Sequence, residues 1–315
     1  MGKPFYLANF ISHFRGKRYH FVVYGLPAIA SALGSKTITT VKVVDGKGWI
    51  VNDQRIATSG YKDAKFNEAQ QAIKNVIEYL NIDTLNNRLE LTFSGDLVAA
   101  SGVGASAAQC TSLARALNEE FNLNLNDEKI NDAAYAGEMA YHGTPSGIDN
   151  TASTYGGLIW FVKNLNGGKN VIDRLTSAEK MNLVIADTGI TASTAEVVSD
   201  VRRLKEKNQD KFKSIFKQYE KIAMNAKKAL LKGKKNKVGK LMNQNHTLLQ
   251  MLTVSGEIND KIVEIARNNG ALGAKVTGTG RGGLVIALTS DLDSQMKISN
   301  AIENQGFSTW KTTIG

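Results

Sequence analysis

The chain has 315 residues, with 39 Lys and Arg against 29 Asp and Glu, for a formal charge of +10. That length suggests two domains, and 42% hydrophobic residues with only 3 Pro exclude a disordered chain. The single cysteine, Cys110, excludes a disulfide framework or a multi-cysteine zinc site and suits a reducing, cytoplasmic setting.

No acidic residue precedes Asp45, whereas Lys3, Arg15, Lys17 and Arg18 are basic, a loose imitation of a transit peptide. The apolar run from Phe5 to Ile11 is short and broken by Asn9, so targeting is not expected. Thr37 to Val44 is rich in β-branched residues and Leu89 to Phe93 forms a second short run, both predicting strands. Between them, Phe66 to Leu80 carries apolar residues at helical spacing. Leu97 to Ala114 is the longest uncharged stretch, but it is mostly Gly, Ala and Ser, too polar for a membrane span of roughly 20 apolar residues. Within it, Ser101-Gly102-Val103-Gly104-Ala105-Ser106-Ala107-Ala108 leads into a helix marked by Thr111, Leu113, Ala114 and Leu117. Glycines let backbone N–H groups turn inward, and the helix offers its positive end to an anion. Ser106 stands where a hydroxyl reaches a phosphate or a bound Mg²⁺. The same stretch also reads as an ordinary tight turn, and it lacks the lysine of a P-loop.

A helix follows Asn126, its expected N-cap, and stops at Gly143, just before Pro145. Glu138 falls in the last helical turns, where the dipole disfavours a carboxylate unless a cation is near. Asp149 is expected on a loop tight enough to need Gly147. One acid as a metal ligand and one as a base fit this chain reversal, and so do two ordinary surface acids. Gly157 to Val162 is a buried-strand run and Asn164 to Gly168 a polar turn. A boundary within 165–180 then gives domains over 1–178 and 179–315. Leu183 to Ala186 starts a further strand.

Arg202 to Lys240 holds 15 basic residues against Glu206, Asp210 and Glu220, a net of +12, which leaves the rest of the chain at −2. Leu204, Phe212, Ile215, Phe216, Tyr219, Ile222, Ala223 and Ala226 recur at helical spacing, so the segment reads as paired helices, joined near Gly233, with a solvated lysine face. Its arginines stop at Arg203, unlike a surface built for nucleic acid, and no nucleic-acid partner is expected. A helix over Glu257–Asn268, a glycine loop at Gly273–Gly283, a strand over Leu284–Leu288 and a helix near Asp293–Glu303 complete the chain. Four glycines in the last six residues of that loop imply close packing of the backbone on a phosphate or on the first glycine stretch.

In this order, Gly102–Ala107, Glu138 with Pro145-Ser146-Gly147-Ile148-Asp149-Asn150, and Gly273–Gly283 resemble the motifs of the GHMP small-molecule kinases, most specifically their mevalonate branch. Gly104-Ala105-Ser106 and Thr279-Gly280-Arg281-Gly282 look like the trypanosomatid form. Asp187-Thr188-Gly189, Ala192-Ser193-Thr194-Ala195 and Asn245-His246 are further matches, and the likeness runs from about His20 to near the C-terminus. It implies an α+β, two-domain fold: a ribosomal protein S5 domain 2-like N-terminal domain and a ferredoxin-like C-terminal domain, with the site between them. It implies ATP- and Mg²⁺-dependent phosphorylation of the C5 hydroxyl of mevalonate. Ser106 and Glu138 would be Mg²⁺ ligands, and Ser101, Gly102, Val103, Gly104, Ala105, Ser106 and Ala107 the triphosphate cradle. Gly278 and Gly280 would support the phosphates, Asp149 would be the base, and His20 and Thr194 would lie toward mevalonate. A small-molecule substrate, no membrane and a homodimer complete what the likeness suggests.

The chain also departs from the family. Arg18-Tyr19 replace Gly-Glu before His20, His13 stands where the family has its catalytic lysine, and Ala99 replaces a proline. One set of codons for Lys3–Asn9, read in another frame, spells Thr-Ile-Leu-Leu-Gly-Glu, so residues up to about Tyr19 also read as a frameshifted stretch. A phosphomevalonate kinase and a catalytically impaired homologue are the alternatives.

Overall fold

The computed structural model describes residues 8–11, 21–99, 103–190, 194–278 and 280–315, and gives the backbone alone at 8–11, 23, 194–199 and 202. In chain order these form β1 (Ala8–Ile11), a 3-10 turn (Val22–Tyr24), β2 (Ala28–Ser31), β3 (Ile38–Asp45), β4 (Gly48–Asp53), α1 (Tyr61–Ala64), α2 (Phe66–Tyr79), β5 (Asn87–Ser94), α3 (Ala105–Glu120), α4 (Asp127–His142) and α5 (Ile148–Tyr155). There follow β6 (Leu158–Val162), β7 (Val171–Leu175), β8 (Met181–Asp187), α6 (Thr194–Lys207), α7 (Gln209–Leu231), α8 (Lys235–Met251), α9 (Glu257–Asn268), β9 (Gly273–Thr277), β10 (Leu284–Leu288), α10 (Leu292–Glu303) and β11 (Ser308–Ile314). The elements divide into two compact units, one over 32–156 and one combining 8–31 with 157–315. The boundary expected at 178/179 falls inside the second unit, because β6 and β7 pair with β2 in the sheet β1-β2-β6-β7.

In the first unit, β5 is the central strand, antiparallel to β3 and parallel to β4. Its alternation puts Leu89, Leu91 and Phe93 on the core side. The apolar stripe of α2 (Ala72, Ile73, Val76 and Ile77) meets them, together with Leu113, Ala114 and Leu117 of α3 and Ile130, Ala133 and Ala134 of α4. The first three turns of α3 are buried on every side, which explains their small residues.

In the second unit, β8, β9, β10 and β11 form an antiparallel sheet in the order β11-β8-β10-β9. With α9 between β8 and β9 and α10 between β10 and β11, this is the ferredoxin-like arrangement. Val184, Ala186, Ala274, Val285 and Ala287 pack there against Ile262, Val263, Ala266, Ile298 and Ile302. The outer edge of β9 is satisfied by side chains. Ala274 N–H donates to Asn243 Oδ1 (3.0 Å) and Val276 N–H to His246 Nδ1 (3.5 Å), while Arg267 Nη2 donates to the Ala274 carbonyl (2.9 Å). On α7 the expected periodicity holds: Phe212, Ile215, Tyr219, Ile222, Ala223 and Ala226 are buried. Most of the lysines of α7 and α8 face solvent, as expected. Tyr219 stacks on Phe21 with ring centroids 3.7 Å apart, and its hydroxyl donates to the Pro27 carbonyl at 2.7 Å.

Candidate active site

Three of the residues singled out by the motifs lie in the first unit on three consecutive helices that pack on one another, α3, α4 and α5. Gly104, at φ +72, is the N-cap of α3; a left-handed residue turns the chain sharply into the helix, and glycine takes that conformation without cost. Ser106 follows in the first turn, only 2% exposed, and Val103, Ala105 and Ala107 beside it are buried as well. The positive end of the α3 dipole therefore lies beside a buried hydroxyl. Ser101 and Gly102 lie outside the described residues.

The N-cap of α4 is Asn126, whose Oδ1 accepts the Lys129 N–H at 3.0 Å. Three turns on, Glu138 is 1% exposed, with His142 Nε2 3.6 Å from its Oε2. A carboxylate so deep near a helix C-terminus requires a compensating cation or donors. Glu138 also acts on Cys110: burial pushes the Cys110 thiol well up, and the nearby carboxylate adds to the effect. Asp149 is not on a loop. It sits in the first turn of α5, 6% exposed, after a left-handed Gly147 (φ +88). The short connection from Gly143 (φ +63) lets α5 begin at once, so the carboxylate is carried by a helix N-terminus. Asn131 of α4 anchors this turn: its Oδ1 and its carbonyl accept from Asn150 Nδ2 at 2.7 and 3.3 Å. Arg115 of α3 closes the other end of α5, donating to the Thr154 carbonyl at 2.9 Å.

Ser106 also borders a cavity of about 490 Å³, entirely within this unit and walled by Trp49, Val51, Phe66, Gln70 and Ile73 on one side and Gln109 and Tyr141 on another. Arg55, which the sequence reading did not single out, organises its polar floor. Its Nε and Nη2 fork onto Asp53 at 2.9 and 2.6 Å, and Nη2 also donates to Gln109 Oε1 at 2.9 Å. Tyr141 OH donates to the same Gln109 oxygen at 3.2 Å. Burial raises the Asp53 pKa, but the hydrogen bonds and charge of Arg55 outweigh it and leave the carboxyl below its usual range. The only sequence signal was an Asp-x-Arg pair at the end of a strand.

In the second unit, the first five residues of the expected glycine loop form strand β9, and the loop is confined to 278–283. Gly278 and Gly280 take φ of +78 and +76. Asn259 grips Gly282 from both sides, accepting its N–H at 2.8 Å and donating to its carbonyl at 2.9 Å. Gly283 donates to the Ile190 carbonyl at 2.8 Å and accepts from Thr188 N–H at 2.9 Å. Thr194 is the first residue of α6, and its side chain lies outside the described residues, as do His20, His13, Arg18, Tyr19 and Thr279. Among the described residues no cluster of three or more His, Cys, Asp or Glu side chains is placed to hold a metal, and no helix is long and apolar enough to cross a membrane.

The model of the GHMP kinases N terminal domain matches residues 67–157, and that of the GHMP kinases C terminal domain matches 226–308. The chain belongs to the GHMP kinases. Curated proteins similar to it include the mevalonate kinase of Pyrococcus horikoshii, 31% identical over 307 residues that cover 91% of this chain and 89% of that one. Among solved structures, L. major mevalonate kinase in complex with R-mevalonate is 37% identical, with a TM-score of 0.91 over 99% of this chain and 94% of that one. A Streptococcus pneumoniae phosphomevalonate kinase, 14% identical over 99% and 98% of the two chains, shares the fold (TM-score 0.75).

Proposed function

We propose that this chain transfers the γ-phosphoryl group of ATP to the C5 hydroxyl of mevalonate, giving 5-phosphomevalonate and ADP. The observation that carries the reading is that Ser106, Glu138 and Asp149 are all buried on three mutually packed helices, with Ser106 bordering a nucleoside-sized cavity. The likeness to proteins named mevalonate kinase supplies the acceptor.

The cavity takes the nucleoside, and the start of α3 from Val103 to Ala107, with Ser101 and Gly102 before it, takes the phosphates through backbone amides. Mg²⁺ is usually held by one or two carboxylates together with substrate phosphates rather than by an all-protein cage. One buried carboxylate, Glu138, and one buried hydroxyl, Ser106, are a donor set of that kind. These two residues would hold Mg²⁺, which neutralises charge on the phosphates. Asp149 accepts the proton of the acceptor hydroxyl as its oxygen bonds to the γ-phosphorus and the bond to the β-phosphate oxygen breaks. Transfer of this kind needs positioning and charge neutralisation more than covalent chemistry, so rigid helices are a suitable platform. Gly278 and Gly280 support the phosphates, and His20 and Thr194 contact mevalonate. The exposed lysines of α7 and α8 remain a solvated face with no nucleic-acid role, and the lone buried cysteine favours a cytoplasmic setting.

A coupled ADP-release assay tests the proposal, run first with mevalonate and then with phosphomevalonate. Turnover with mevalonate alone is the expected result. Turnover with phosphomevalonate alone would replace the acceptor. Binding of mevalonate without turnover would trace to His13 in place of the family lysine.

A further inference from the structure

Position 281 has the backbone of a glycine and the side chain of an arginine. Every described residue of the loop 278–283 has positive φ, with +78, +76, +47, +136 and +64 at Gly278, Gly280, Arg281, Gly282 and Gly283. A residue with a Cβ is strained there, and strain of this kind persists where the side chain has a purpose. Opposite it, in the α8–α9 turn, Thr253 is a second non-glycine residue in the same region (φ +56). The two strained residues hold each other: Arg281 Nε donates to the Thr253 carbonyl at 2.8 Å and Nη2 to Thr253 Oγ1 at 3.0 Å. The Arg281 N–H donates to the Val254 carbonyl at 2.8 Å. The remaining nitrogen, Nη1, reaches Asp200 Oδ2 on α6 at 2.6 Å, and this hydrogen bond lowers the Asp200 pKa.

A half-exposed ion pair adds little to stability, so stability alone does not account for the arginine. Its effect is geometric. The segment leading into α6 is already tied to the loop through Thr188, Ile190 and Gly283, and Asp200 adds a second attachment about two turns into the helix. Added to the burial of Val201 and the packing of α6 on α7, this second attachment holds the direction of α6 relative to the loop more firmly than one would.

We propose that Arg281 is a positioning residue for phosphoryl transfer: it locks α6, whose first residue is Thr194, to the glycine loop and the α8–α9 turn. The acceptor end and the phosphate end of this unit are thereby held in register. The kinetic part rests on the mevalonate reading above; the mechanical part does not.

Arg281→Gly is the decisive variant, because glycine relieves the backbone strain while removing the latch. The expected result is an unfolding midpoint equal to or above that of the parent, a KM for mevalonate raised about tenfold and a KM for ATP within about twofold. Arg281→Lys, which keeps a cation for Asp200, recovers part of the loss. Without any substrate, amide hydrogen exchange in α6 becomes faster in Arg281→Gly. The proposal is overturned if mevalonate KM and α6 exchange both match the parent, or if activity falls only in step with thermal stability. If the parent does not turn over mevalonate, the functional reading fails, and the exchange comparison alone decides the latch.

Discussion

Gly137 of α4 lies against Cys110 of α3 so closely that a Cβ at 137 would stand 2.6 Å from the thiol sulfur and 2.9 Å from a methyl of Val76. At the residue immediately before Glu138, the backbone of α4 rests directly on the Cys110 side chain of α3. Gly137→Ala should therefore force α3 and α4 apart, costing about 1–3 kcal/mol of stability. Denaturant unfolding measures this, and adding Cys110→Ala should restore part of it. No rescue would place the strain elsewhere.

Asp149→Asn keeps the shape of α5 but removes the proton acceptor. ADP release with mevalonate should fall by about 10³-fold or more, with the unfolding midpoint nearly unchanged. Asn131→Ala leaves the carboxylate but removes the closer of the two acceptors of Asn150, keeping the backbone carbonyl, and should cost only about tenfold through misplacement. Retained turnover in Asp149→Asn would take Asp149 out of its role.

Arg55 is nearly buried in its fork onto Asp53, and removing it leaves that half-buried carboxylate with only the longer Lys62 ion pair at 3.6 Å. Arg55→Ala should lower the unfolding midpoint and raise the KM for ATP several-fold, leaving the KM for mevalonate little changed. Asp53→Asn in the same chain should return some of the stability. An unaltered ATP KM would separate the cavity from the nucleotide.

Two buried bases beside β9 should make stability depend on pH in opposite ranges. His246 accepts the Val276 N–H, so its proton sits on Nε2, 3.1 Å from Asp260 Oδ1. Burial, with Arg267 and Lys275 nearby and Asp260 opposing them, brings its pKa down to about 4. The folded chain then holds fewer protons than the unfolded chain between pH 4 and about 6.5, so stability is complete above that range and falls as pH drops through it, by at most about 3 kcal/mol. Lys275 is wholly buried, its Nζ donating to the Val276 carbonyl at 2.8 Å, and burial brings its pKa down to about 7. Its contribution has the same sign in the alkaline range, with stability rising from about pH 7 toward 10.5. His246→Gln should flatten the acid limb and Lys275→Met the alkaline one, both read from urea midpoints across pH. Limbs that persist in the variants would assign them to other groups.

The limits of α9 at Glu257–Asn268 and of β10 at Leu284–Leu288 were legible in the sequence because the first repeats a helical period closed by Asn269 and the second is an unbroken apolar run opened by glycine. The place of Asp149 in the first turn of a helix was not legible, because Gly147 reads equally as a loop residue and as a helix cap. Gly273–Thr277 resembled loop because Lys275 interrupts its apolar run. It becomes a strand by pairing with β10, and the side chains that hold its other edge, Asn243, His246 and Arg267, come from two other helices. The long-range bonds of Arg55 and Arg281 were hidden for the same reason, since Gln109 lies 54 residues from Arg55 and Asp200 lies 81 from Arg281. The pairing of β2 with β6, which sets where the second unit begins, is likewise a contact between distant segments.

The side chains that occupy the rim of β9 also determine how the protein behaves in a crowd. An open strand margin recruits further strands, from its own copies or from unfolded neighbours. Here one margin of the four-stranded sheet is plugged by two residues of α8 and one of α9, and on the other margin β11 carries Lys311. Loosening α8 would unplug the first margin without disturbing a single residue of the sheet. The colloidal safety of this unit therefore depends on a helix outside its sheet.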